Sequence, residues 1–165
     1  MKLLIFGYGN PGLRDDGLGI LFSEYLENWA KKNNVTNIDC DSNYQLNIED
    51  ADNISGYDIV IFVDATMEKI NNFILTEVIP SDKTNFTTHS VSPEFVLNLC
   101  HQLTDYPPAT YLLHIKGYEW NMQEELTQIG KQNFDIALEN MRPLLEAAQK
   151  NNLEKALEIL EYLKT

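Results

Sequence analysis

Basic residues are scarce in this chain. Twelve Lys and Arg stand against 25 Asp and Glu in 165 residues, a formal net charge of −13. Binding to a nucleic-acid backbone depends on Lys and Arg displacing counterions, so this balance excludes nucleic acid as the expected partner. Cysteine is scarcer still. Cys40 and Cys100 are too few for a disulfide scaffold and lack a metal-ligand spacing, so each is expected to be a small buried apolar residue. No apolar run approaches the roughly 18 residues of a membrane span. The apolar stretch near the N-terminus meets Gly7 too soon for a signal peptide and reads as a first strand, so the expected location is the cytoplasm, with no membrane partner. There is no Gly-x-Ser-x-Gly elbow, and neither cysteine sits in an activating pattern, which leaves nucleophilic catalysis unsupported. With 44% hydrophobic and 22% charged residues, the composition is that of one globular domain spanning 1–165, large enough to need no staples.

Strand and helix signals alternate through the first 65 residues. Residues 2–6 read as a continuous apolar strand, the pattern of a sheet buried on both faces. Over 16–33, Leu18, Leu21, Phe22, Tyr25, Leu26 and Trp29 recur at steps of three and four and predict an amphipathic helix. A second strand is expected at 35–40, a short helix at 46–53 and the clearest buried strand at 58–63. Residues 72–79 read as an edge strand. Ser92-Pro93 marks a helix start with Ser as cap, and 109–115 follows Pro107-Pro108 as a last strand. A helical stripe from Phe134 to Ala148 includes Pro143, which predicts a kink or restart, and a final helix at 150–163 is expected to pack on it. The sum is a three-layer α/β/α domain with a mostly parallel twisted sheet carrying an antiparallel edge strand.

Chemistry concentrates in Gly7-Tyr8-Gly9-Asn10-Pro11-Gly12-Leu13-Arg14-Asp15-Asp16-Gly17-Leu18-Gly19, between the first strand and the first helix. In open α/β sheets that is where ligands bind. Gly7-x-Gly9-x-x-Gly12 also matches a dinucleotide fingerprint, but Asp15 and Asp16 occupy the place of the anion and Pro11 removes one amide donor. Asp64 follows the strongest strand and is placed at the same sheet edge; its ordinary role there would be a turn or cap. His89 lies in Thr87-Thr88-His89-Ser90-Val91-Ser92-Pro93, just before a helix start, whereas His101 and His114 read as packed or solvated. Asp16, Asp64 and His89 make an O,O,N donor set that suits a first-row divalent ion such as nickel or zinc. Asp16 and Asp64 alone also suit paired acids for general acid/base hydrolysis.

Together, Gly7-x-Gly9-Asn10, Asp15-Asp16-Gly17-x-Gly19, Val63-Asp64-Ala65, and His89 with Ser92-Pro93 resemble the hydrogenase maturation protease family. Residues 1–20 and 59–66 carry the resemblance most specifically, and 109–138 is only loosely similar. The stretch 43–51 resembles one branch of the family; other branches carry Asp-Gly-Gly where Asp41-Ser42-Asn43 stands here. The resemblance implies an endopeptidase that removes the C-terminal extension of a nickel–iron hydrogenase large-subunit precursor once nickel is inserted. It maps the family's metal-binding positions onto Asp16, Asp64 and His89, with nickel delivered by the precursor, and puts Asp15 behind the site or in substrate orientation. A non-catalytic metal- or partner-binding module of chaperone type is the alternative, with nucleotide binding a lesser one. The opening string also resembles peptidyl-tRNA hydrolase, but the catalytic His that family needs soon after the motif is missing here.

Overall fold

The apolar run after Met1-Lys2 forms β1 (Leu3–Tyr8) in the computed structural model, which describes residues 1–83 and 91–165. From Leu3 to Phe6 every side chain is buried, because alternate residues enter two different cores. On one face Leu3 and Ile5 join Ile59, Ile61 and Leu113 beneath α1 (Leu18–Lys32), α4 (Gln128–Gln149) and α5 (Leu153–Leu163). On the other, Leu4, Phe6, Val60 and Phe62 pack under α2 (Asp50–Ile54) and α3 (Pro93–Leu103). This is the expected α/β/α sandwich.

The sheet runs in the order β2-β1-β3-β5-β4, with β2 (Ile38–Asn43), β3 (Ile59–Thr66), β4 (Phe73–Glu77) and β5 (Ala109–Lys116). All neighbours are parallel except β4, the expected antiparallel edge. The chain leaves β1 toward β2 and then crosses back to the other side for β3. The direction of winding therefore reverses between β1 and β3, and a crevice opens at their carboxyl ends. Beyond β4, Lys164 bridges Leu75 and the Thr165 N–H donates to the Leu75 carbonyl at 2.9 Å.

Several boundaries differ from expectation for local reasons. β2 starts at Ile38 because the end of α1 consumes the preceding residues: Asn34 takes a φ of +55° and the Val35 N–H closes onto the Ala30 carbonyl. α2 shrinks to Asp50–Ile54, since the Asp50 carboxylate accepts the Asn47 N–H at 2.7 Å and holds that stretch as a turn. α4 begins at Gln128, capped by the Thr127 hydroxyl, and runs through Pro143 without a break. Ser92 caps α3 as expected, accepting the Phe95 N–H. Cys100 is buried, but Cys40 is only half-buried on edge strand β2.

Phe22 ties α1 to α4 by an edge-to-face contact with Phe134 at 5.5 Å, and it is fully buried. Phe22→Ala is expected to cost about 3–5 kcal/mol, read by urea unfolding.

Candidate active site

Asp16 and Asp64 both reach the crevice between β1 and β3. A 3₁₀ turn (Arg14–Gly17) carries Asp16 between β1 and α1. The loop lies close enough to the sheet that side chains are excluded. A Cβ on Gly19 would meet the Val63 carbonyl oxygen at 2.3 Å, and Gly9, at φ +132°, would meet the Asp16 carbonyl oxygen at 2.1 Å. These glycines serve close packing.

The loop amides are not free for a phosphate. Gly9 N–H donates to the Asn43 carbonyl, Asn10 N–H to Asp16 Oδ2 at 2.9 Å, and Gly12 N–H to Asn10 Oδ1. The Leu13 N–H goes to the Asn10 carbonyl, Arg14 to Gln123, Asp15 to Glu119 and Asp16 to Leu13. Every N–H from Gly9 to Asp16 thus has a partner within the protein, and the dinucleotide reading loses its donors.

Asp64 lies inside β3, in lateral register with His114 of β5, so it neither caps a helix nor forms a turn. It is half-buried on the α2/α3 face. Burial, followed by the nearby charge of Asp16, pushes its pKa up to about 7, against hydrogen bonds from the Ala65 N–H and the Tyr8 hydroxyl. The Tyr8 hydroxyl donates to Asp64; burial, and then the Asp64 charge, drive the phenol well above its ordinary range. Asp16 accepts the Asn10 N–H on one oxygen and the Trp120 indole N–H, at 2.9 Å, on the other. Among the described residues, neither carboxylate forms a salt bridge. Two neighbouring carboxylates that accept from neutral donors, with no counter-cation among the described residues, suit an incoming positive ion.

Of the three expected site residues, the structure brings Asp16 and Asp64 together, and His89 lies outside the described residues. Among the described residues, no three His, Cys, Asp or Glu side chains form a ready metal cluster. His101 is exposed in the last turn of α3. His114 is half-buried on the same face as Asp64; burial lowers its pKa, against the charges of Glu68 and Glu94. Asp41 is exposed at the carboxyl end of β2, where its oxygens accept the Ser42 N–H and the Asn53 side chain.

Asp15 is fully buried and cannot touch a substrate. One of its oxygens accepts the Thr127 N–H at 2.8 Å. The other accepts the Thr127 hydroxyl at 2.7 Å and the N–H groups of Tyr118 and Glu119. Trp120, absent from the sequence-derived site, sits two residues beyond Tyr118. A polar aromatic three residues after Gly117, which follows β5 at the carboxyl edge of the sheet, was the available signal.

No protein-family model matches the sequence, and no curated protein matches it. Solved structures do match. The NiFe hydrogenase maturation protease HycI from Thermococcus kodakarensis KOD1 aligns with a TM-score of 0.67 at 20% identity, over 90% of this chain and 92% of that one. The hydrogenase maturating endopeptidase HybD from E. coli gives 0.64 at 19% identity, over 91% and 94%. The hydrogenase 2 maturation peptidase from a Thaumarchaeota archaeon gives 0.61 at 18% identity, over 88% and 99%. The chain has the fold of these proteins.

Two outcomes are expected. Asp15→Ala leaves several buried donors unpaired and costs about 3 kcal/mol or more, measured by chemical denaturation. Asp64 holds its proton more tightly folded than unfolded, so its ionisation opposes folding progressively as pH rises from about 4 to about 7. Asp64→Asn should therefore have the higher thermal midpoint at pH 8, with the gap narrowing at pH 5.

Proposed function

We propose that this chain is an endopeptidase of the hydrogenase maturation type, which removes the C-terminal extension of a nickel–iron hydrogenase large-subunit precursor after nickel insertion. The observation that carries the reading is the Asp16–Asp64 pair. It stands where the winding of the sheet reverses, without a counter-cation among the described residues, on a fold shared with solved maturation proteases.

The precursor is the substrate, and nickel arrives as part of it. The two carboxylates match the charge of a divalent ion, and Asp16, Asp64 and His89 fill coordination positions that the precursor leaves open. Cleavage then depends on loading, because an empty precursor offers no cation to offset the repulsion between Asp16 and Asp64. With the scissile carbonyl held beside the ion, its polarisation favours attack by water. The assignment of His89 rests on the family resemblance of its sequence context. An acidic chain with no helix, among the described residues, long and apolar enough to cross a membrane fits a protein partner carrying a cation.

The test is the intact mass of a candidate large-subunit precursor after incubation with this protein, nickel-loaded and nickel-free. A C-terminal loss only in the loaded form is expected. Asp16→Asn and His89→Ala should each slow it by about 100-fold or more, the scale of removing a group at the reacting centre. An unchanged mass with a cognate, loaded precursor supports a binding module in place of a peptidase.

A further inference from the structure

Four consecutive residues of the loop ending at Asp16 grip one distant stretch of chain, residues 117–127. Leu13 forms a parallel bridge with Gln123. The Arg14 N–H donates to the Gln123 carbonyl at 2.7 Å, and its guanidinium pairs with Glu119 at 2.9 Å and donates to the Gln123 side chain. Arg14 holds a φ of +52°, a conformation rare outside glycine that these contacts maintain. Asp15 takes the donors of Tyr118, Glu119 and Thr127, and Asp16 takes Trp120. The stretch is therefore built onto the loop, and the indole is fixed in place.

A carboxylate alone turns broadly about its terminal torsion. Asp16 lacks that freedom, because the Asn10 N–H holds Oδ2 and the Trp120 indole N–H holds Oδ1, both at 2.9 Å. Each oxygen keeps lone-pair capacity for a cation. The indole donates only, so it neither competes as a ligand nor takes a proton. Donors behind a ligating group set its direction, and their loss typically costs about 10–100-fold in metal affinity or activity.

We infer that Trp120 is a positioning residue of this site, whose indole N–H fixes the orientation of the Asp16 carboxylate for the incoming metal ion. The inference rests on the proposed role of Asp16 as a ligand.

The test is Trp120→Phe, which keeps an aromatic ring and removes the donor. Zinc ion, added alone, should bind this variant about tenfold or more weakly than the parent chain. Cleavage of nickel-loaded precursor should fall by a similar factor, with the thermal midpoint close to that of the parent. In the parent chain, the Trp120 indole N–H resonance, identified by its loss in Trp120→Phe, should move on zinc addition; in Asp16→Asn it should stay. A purely structural tryptophan would not give that dependence. Zinc affinity and cleavage within about twofold of the parent in Trp120→Phe, or an indole resonance unmoved while zinc saturates the protein, overturns the inference. If Trp120→Phe lowers the midpoint, the resonance in the parent decides alone. Asp16→Asn keeps the two ideas apart. If it cleaves like the parent, the site reading falls; if it is inactive while Trp120→Phe is parent-like, only the role of Trp120 falls.

Discussion

A single buried carboxylate joins two distant stretches of this chain. Asp15 lies in the first loop, yet its partners are Tyr118, Glu119 and Thr127, more than 100 residues away in the chain. Because Thr127 caps the 22-residue helix α4, the charge also sits at the positive end of that helix's dipole. Two glycines make room for it: a Cβ on Gly130 would meet Asp15 Oδ1 at 2.6 Å, and one on Gly117 would meet Asp15 Cβ at 2.8 Å. Removing a buried acceptor of this kind frees donors that water cannot reach. Placement of Asp16, of Trp120 and of the start of α4 all follow from the neighbouring aspartate that never meets solvent.

The two adjacent acids thus divide the work by burial alone. Asp15 faces inward and is saturated with donors, whereas Asp16 is half-buried at the crevice with a single donor on each oxygen. The glycines around them act in the same spirit. They resemble a phosphate cradle in sequence, but their missing side chains let β1, α1 and β3 touch. Their amides are turned into the loop's own hydrogen bonds, so the same string that can hold a pyrophosphate elsewhere here holds an acid in position.

What was legible in the sequence is what local pattern records. The apolar runs of β1 and β3, the stripes of α1, α4 and α5, the Ser92 cap and the edge position of β4 all lie in short windows and are found, although α4 passes Pro143 without the expected restart and α5 begins at Leu153, later than expected. Asp16 and Asp64 were legible as neighbours because chain order alone puts the carboxyl ends of two parallel strands at one edge, although Asp64 proved to lie within β3 and not after it. The partners of those acids were not. Trp120 reaches Asp16 across 104 residues, and no periodicity encodes that meeting. The burial of Asp15 was hidden for the same reason, since its sequence neighbours give no sign of the helix start that covers it. β2 was misplaced because its residues, IDCDSN, are mostly polar and exposed, as an edge strand permits.

The far edge of the sheet carries a separate consequence. β4 would present a row of unpaired backbone groups, the feature by which sheets recruit strands from other molecules. Lys164 and Thr165 lie along it, with Lys164 held by Glu77 and Glu161 at 2.8 Å each. Residues 164 and 165 thereby occupy the backbone of β4 at Leu75, where another strand would otherwise add. The covered edge and Asp64 thus stand at nearly the same height of the sheet, since Leu75 is in register with Leu113 and Leu113 with Val63, so closing the edge and placing the acid fall on opposite sides of β5.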